Sequence, residues 1–297
     1  MLDTPDSAQR NQRRQRHRNG PPQPPVRLAL LGCYPESEVS VNVPVPILDR
    51  PVGDPRRRTA DANPKYRAHM DLLDALYSTR AMRRVFPDPI PLDVQARILD
   101  AAIRAPSGGN SQSWRFVLVD APELKKELGP LYRDSIAQLW QTGYKERLDA
   151  ATADPGSPTS IELFKVQRSA QWLADHYEEV PLFLFAFSLN DTTGGSIYPA
   201  VWSAQLAARA EGIGSALTSI LGFFHGYEVR RILGAPDEGW TNFAMVSFGY
   251  PTGTWAVARR RPVDEVAGRN TWNGALGFSV PEPLWSLSTK PKPDCAL

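Results

Sequence analysis

Cysteine is almost missing from this chain of 297 residues: Cys33 and Cys295 lie near its opposite ends. Neither belongs to a CxxC pair, which excludes a disulfide framework and a Cys-rich zinc site and makes a reducing cytoplasm the expected compartment. Histidine is nearly as scarce. The four (His17, His69, His176 and His225) are scattered, so neither a histidine metal site nor a Ser-His-Asp triad is expected. Long apolar runs are absent too. The longest, Val180–Leu189, is far too short to span a bilayer as a helix and reads as a buried strand. Met1–Pro25 lacks an apolar core, so no signal peptide is expected. No G-x-G-x-x-G occurs, because Gly212-Ile-Gly214 is followed by Leu217 where a third glycine would stand. A Rossmann dinucleotide site is therefore unsupported. Walker loop, HExxH, GxSxG and internal repeats are likewise missing.

What is present is unevenly distributed. The formal net charge of +2 hides a basic front. Residues 1–70 carry 12 Lys and Arg against 7 Asp and Glu, or +5, which leaves 22 against 25, or −3, for 71–297. Residues 1–65 also hold 11 of the 28 prolines, with basic runs at Arg10–Arg18 and Arg56–Arg58. Few apolar residues are available there to offset the entropy of ordering. We read 1–65 as a disordered Arg/Pro-rich extension in preference to a nucleic-acid contact, and 66–297 as one folded domain with a C-terminal arm.

From Met70 the pattern is globular. Leu72, Leu73, Leu76 and Tyr77 recur at helical spacing. Asp93 is expected to cap a helix through Arg104 that turns Val94, Ile98, Leu99, Ala102 and Ile103 to one face, and Pro106 stops it. A strand follows at Phe116–Val119. Glu123–Leu128 and Tyr132–Trp140 read as two short helical pieces, Thr142–Ser160 as a mobile loop, and Leu163–Tyr177 as a helix. After the strand at 182–189, Pro199 begins a helix through Glu211. Ser215–Leu221 is a candidate strand, Tyr227–Leu233 a helix and Phe243–Tyr250 a strand. The expected fold is α+β, a sheet with helices packed on both faces. The stretch Gly268–Leu297, with Trp272, Phe278 and Trp285 among prolines, reads as an arm toward a partner surface or a strap over its own subunit.

Three segments carry chemistry. Arg80-Ala-Met-Arg83-Arg84 puts three guanidiniums within five residues, either as dipole-compensating charges at a helix end or as a phosphate grip. Pro106-Ser-Gly-Gly-Asn-Ser-Gln112 is a turn into a strand, or a close-approach loop whose glycines admit a flat ligand while Ser107, Asn110 and Gln112 supply polar contacts. Gly214-Ser-Ala-Leu-Thr-Ser219 is a buried strand after a helix, or a wall of the same site. A further basic cluster is Arg259-Arg-Arg261. Trp114 reads as core or interface.

In this order and spacing the segments resemble the FMN-dependent nitroreductase family, across roughly residues 70–265. The resemblance implies an intertwined homodimer with FMN at the subunit interface and NADH or NADPH as co-substrate. It implies that Arg80, Arg83, Arg84 and Arg260 grip the flavin phosphate. Ser107, Gly108, Gly109, Asn110 and Gln112 would follow the ribityl chain and pyrimidine edge. Ala216, Leu217, Thr218 and Ser219 would approach the other face, with an amide near the reactive N5. The family often shows Arg-Arg-Ser-x-Arg; Ala81, which lines the phosphate site by resemblance, cannot give the serine's hydroxyl bond. The implied reaction is ping-pong hydride transfer from NAD(P)H to an electron-poor small molecule, such as a nitroaromatic or quinone, with no side chain required as acid or base. Relatives that fragment reduced FMN, or that dehalogenate reductively, share these motifs, and a non-catalytic flavin-binding module is a further alternative. Deiodinase-type relatives space Glu, Tyr and Lys over a lid, whereas Tyr144-Lys145-Glu146 are adjacent here.

Overall fold

The computed structural model describes residues 70–191 and 193–287. The extension expected over 1–65 lies outside the described residues. Four strands form one sheet: β1 (Trp114–Val119), β2 (Leu182–Leu189), β3 (Gly214–Thr218) and β4 (Trp240–Gly249), in the order β1-β2-β4-β3 and antiparallel throughout. Strand β2 is central, and its sequence explains its burial on both faces. Side chains alternate along a strand. Phe183, Phe185 and Phe187 therefore enter one core, while Leu182, Leu184 and Ala186 enter the other.

Seven helices surround the sheet among the described residues: α1 (Leu72–Ser78), α2 (Leu92–Ala102), α3 (Pro122–Gln141), α4 (Lys145–Ala153), α5 (Pro158–Asp175), α6 (Ile197–Ala210) and α7 (Ile220–Leu233). The phenylalanine face is covered by Leu128, Tyr132 and Ile136 of α3, Ala170, Leu173 and Ala174 of α5, and Leu221 and Val229 of α7. The opposite face is covered by α2, through Ile98 and Ala102, and by α6, through Ile197, Val201, Ala204 and Ala208. Alanine-rich α6 can lie close to the sheet because two of its four core contacts, Ala204 and Ala208, are short side chains. The fold is α+β with helices on both faces, as expected.

Several boundaries differ from the sequence reading. The two pieces at 123–140 are one helix, α3, with Pro130 inside. Proline forfeits one backbone bond there, but Leu128, Tyr132 and Ile136 continue one buried stripe across it. The expected loop at 142–160 contains α4, which buries only Ala151 and so has no apolar stripe to announce it. Its turns are supported by the Lys145–Asp149 pair at 2.7 Å. Asp93 does not cap α2: Pro91 holds that position without a side-chain bond, and Asp93 pairs with Arg97 at 3.1 Å. The candidate strand 215–221 breaks after Thr218, where α7 begins at Ile220 and runs through a kink at His225.

Beyond β4 the chain returns over its own subunit. Ala258 N–H donates to the Tyr77 carbonyl at 2.8 Å, and the Trp285 indole N–H donates to Asp74 at 2.9 Å. Between them Asp264 accepts from Ser279 Oγ and Val280 N–H. The described part of the arm is thus a strap on α1, although Trp272 stands 94% exposed on it.

Phe185 is fully buried at the centre of the larger core. Phe185→Ala is expected to cost about 3–5 kcal/mol, read as a lower urea midpoint with an unchanged slope.

Candidate functional site

The arginine segment is placed by main-chain bonds. Helix α1 is capped by Asp71, whose carboxylate accepts from Leu73 N–H at 2.7 Å, and it ends at Thr79. The chain then runs extended along the edge of β3: Ala81 bridges Ser215, and Met82 N–H donates to the Ser215 carbonyl at 2.8 Å. Val85 bridges Pro251, Phe86 N–H donates to Tyr250 and Thr252 N–H donates to the Arg84 carbonyl. This fixes the guanidiniums over a groove of about 790 Å³. Arg80, Ala81, Arg83 and Arg84 line it on one side, Lys165, Arg168 and Ser169 of α5 on another, with Thr252 and Gly253 from the turn after β4. Arg80 Nη2 donates to the Thr254 carbonyl at 3.0 Å, and Arg83 Nη1 to Ser169 Oγ at 3.3 Å. No carboxylate is among the lining residues. A groove with guanidinium forks and no acid suits phosphate oxygens.

The β3 segment pairs with the arginine segment through Ser215 alone, and none of Ala216, Leu217, Thr218 and Ser219 lines the groove. Ser215, which receives Met82, is itself held by Gln205 of α6 at 3.0 Å. Ala216 is buried, Leu217 and Thr218 are half-buried, and Ser219 is exposed at the turn into α7. The Ser219 carbonyl accepts from Phe223 N–H, opening the helix.

The Ser107 loop sits elsewhere. Gly108–Asn110 is a single 3₁₀ turn in which Gly109 (φ +59°) and Asn110 (φ +52°) are left-handed, as is Gln112 (φ +48°). Ser107 Oγ accepts from Gln112 N–H at 3.1 Å, and Gln112 Nε2 donates to Asn110 Oδ1 at 3.2 Å. Gly108 N–H donates to Ser196 Oγ at 3.1 Å, which fastens the loop to the N-terminal end of α6. The arginine segment belongs to the other end, where Arg209 Nε donates to Ser78 Oγ at 2.7 Å. From Ser196 to Arg209 a helix advances ~20 Å. Within one chain, then, the first and third segments meet and the second is held a helix length away.

A model of the Nitroreductase family matches residues 76–250, more than half of the chain. This chain belongs to the nitroreductase family. Among curated proteins it is 29% identical over 198 residues to the 5,6-dimethylbenzimidazole synthase of Rhodobacter capsulatus, covering 62% of this chain and 85% of that one. With the enzyme of the same name from Rhodospirillum rubrum it shares 31% over 185 residues, covering 61% and 82%. A crystal structure of oxidized iodotyrosine deiodinase bound to FMN and 3-iodo-L-tyrosine has the same fold, with a TM-score of 0.50 and 23% identity over 68% of this chain and all of that one.

The nitroreductase match encloses every candidate site residue except Arg260. Arg260 does not line the groove; it is exposed, and its Nη1 donates to the Arg259 carbonyl at 2.8 Å. Trp114 is half-buried and packs on the α2/α6 core. Lys165, Arg168 and Ser169 are groove residues that the sequence reading missed. Their only sequence signal is a basic i, i+3 pair on a helix, which many solvated faces share. Among the described residues no cluster of His, Cys, Asp or Glu is arranged to hold a metal, and no helix is long and apolar enough to cross a membrane.

The Ser107 loop depends on a second loop for its position. Asp191 accepts from Thr193 N–H at 2.8 Å, Thr193 Oγ1 at 3.0 Å and Gly194 N–H at 2.9 Å, ordering the turn that presents Ser196. The Thr193 backbone bond, followed by those from Gly194 and the Thr193 hydroxyl, holds the Asp191 carboxyl below its usual range. A depressed carboxyl adds stability above its unfolded pKa, near ~3.9 for Asp, and loses it as pH falls through the folded value. Wild type should therefore exceed Asp191→Asn in stability at pH 6, and the gap should close below about pH 4. Urea midpoints of the two proteins across this range are the check.

Proposed function

We propose that this protein is an FMN-dependent oxidoreductase of the cytoplasm that acts as a homodimer. The observation that carries the reading is the acid-free arginine groove stitched to β3, with the close-approach loop at the far end of α6. The donor set fits a flavin mononucleotide. Arg80, Arg83 and Arg84 would hold its phosphate, with Arg80 steadied by Thr254 and Arg83 by Ser169. Ala216–Ser219 would flank its ring system. Ser107, Gly108, Gly109, Asn110 and Gln112 would meet the ribityl and pyrimidine edge of the cofactor held by the other subunit, since their own groove is ~20 Å away along α6. Exposed apolar side chains on α1, α6 and α7, such as Leu72, Trp202 and Phe223, supply surface for that association.

FMN, when bound, supplies the redox chemistry: hydride is taken from NADH or NADPH and passed to an electron-poor acceptor such as a nitroaromatic or quinone, in ping-pong order. The chain's share is orientation and electrostatics. Guanidiniums would fix the cofactor, and the side-chain amide N–H groups of Asn110 and Gln112 would offer donors at the pyrimidine edge, where negative charge develops. Arg260 could join the phosphate grip only by turning away from the Arg259 carbonyl.

A second reading is favoured by the two 5,6-dimethylbenzimidazole synthases among the relatives. In it, reduced FMN and oxygen are the substrates and the flavin is consumed. The deiodinase reading has less support. Tyr144 stands at the start of α4 beneath Arg147, and Lys145 is engaged by Asp149.

Purified protein is expected to show flavin absorption near ~370 and ~450 nm that bleaches anaerobically with NADH or NADPH. Return of the colour with a nitroaromatic gives the oxidoreductase; aerobic loss of flavin with appearance of dimethylbenzimidazole by mass spectrometry gives the second reading. A colourless protein that takes up no FMN sinks both. The shared site has its own test. Arg80→Ala/Arg84→Ala and Ser107→Ala/Asn110→Ala should each lose FMN binding by about tenfold or more. Refolded together, they should recover roughly a quarter of the tight sites, because half of random pairs are mixed and each mixed pair has one intact site. A site built within one chain would recover none.

A further inference from the structure

Five cations line the groove, and two of them, Lys165 and Arg168, come from α5, outside every segment assigned to the flavin. Three residues apart, they share one face of that helix. The face is brought to the arginine segment by the contact from Arg83 to Ser169, the residue after Arg168. Among the described residues Lys165 pairs with Glu162 at 2.8 Å, and Arg168 makes no ion pair. With Glu162 set against Lys165, four guanidiniums remain over the groove. A phosphate monoester brings only about 1.5–2 negative charges, which leaves a surplus of about two positive charges once the flavin phosphate is held. The volume agrees. About 790 Å³ lies in the range of a whole small-molecule site, ~300–1,000 Å³, and far exceeds the needs of one phosphate.

We propose that Lys165 and Arg168 form a second anion subsite beside the flavin-phosphate grip, taking a phosphate or carboxylate carried by the reductant or the acceptor. The proposal rests on the FMN reading above. Arg168 offers a planar fork that can meet two oxygens at once, and Lys165 a point charge that can leave Glu162 for a stronger anion. The groove then selects ligands by charge, in preference to neutral molecules of the same shape. Because both side chains are exposed, the selection weakens as salt rises.

The test uses the full-length FMN-loaded protein as wild type, as Lys165→Ala/Arg168→Ala and as the charge-keeping Lys165→Arg/Arg168→Lys. Calorimetric titration at low salt gives dissociation constants for NADP⁺, NAD⁺, 4-nitrobenzoate and nitrobenzene, and fluorescence gives that of FMN. The alanine pair is expected to weaken at least one anionic ligand roughly tenfold or more, leave nitrobenzene and FMN within about twofold, and lose the salt dependence of the weakened ligand. The charge-keeping pair should restore most of the loss. An effect on NADP⁺ alone assigns the 2′-phosphate, one on both dinucleotides the pyrophosphate, and one on nitrobenzoate alone the acceptor. Unchanged constants for all four ligands overturn the subsite. So does a matching fall in FMN affinity, which would put both cations in the flavin grip. A wild-type protein that binds no FMN overturns this proposal together with the flavin reading, whereas intact FMN binding with unaltered ligand constants overturns the subsite alone.

Discussion

The bond from Met82 N–H to the Ser215 carbonyl is worth on the order of 1 kcal/mol by itself, yet the geometry of the groove is referred to it. With the Ala81–Ser215 bridge it makes the arginine segment an edge partner of β3, so the guanidiniums take their positions from the sheet. Their other contacts follow from that placement: Arg80 reaches Thr254, Arg83 reaches Ser169, and the Arg84 carbonyl receives Thr252. The approach is close enough to restrict the sequence beside it. A Cβ on Gly214 would stand 2.9 Å from the Met82 Cβ and 3.2 Å from the Pro251 Cβ, so glycine is what lets the segment lie against the strand.

Helix α6 is the second constraint. Its buried face of Ile197, Val201, Ala204 and Ala208 presses on the sheet, and its ends hold separate parts of the site. At the N-terminal end Ser196 receives the Gly108 amide; near the C-terminal end Gln205 and Arg209 hold Ser215 and Ser78. Arg209 is buried, and its guanidinium stacks on the Trp255 ring at 3.9 Å, so its charge is met by a ring face as well as by a hydroxyl. A rigid helix between the two candidate segments makes the distance between them a property of the core rather than of loops.

Strands were legible in the sequence wherever burial was two-sided or alternating, as in Phe183–Phe187 and Phe243–Phe248. Helices were legible where an apolar stripe repeated, as in α2. Helix α4 escaped notice because it buries one alanine and carries one exposed ion pair, a pattern that a polar loop also shows. The start of α7 was hidden because Leu217–Leu221 is apolar and β-branched on both sides of the turn, and periodicity cannot locate a boundary inside such a run. The arginine segment and the Ser107 loop could be picked out by composition, but their separation along α6 could not, since it depends on which face of which helix packs on the sheet. Lys165 and Arg168 were invisible for a related reason: only folding brings α5 to the groove.

The strap across α1 has a consequence for the topology of the chain. Trp285 is fastened to Asp74, so the first and last described stretches of this subunit meet at a single corner. A short linker could join them there, and the chain could be reopened in an exposed turn such as the one between α4 and α5 with the sheet order intact. In a chain trimmed to residues 70–287, cargo fused to one end would also stand next to cargo fused to the other.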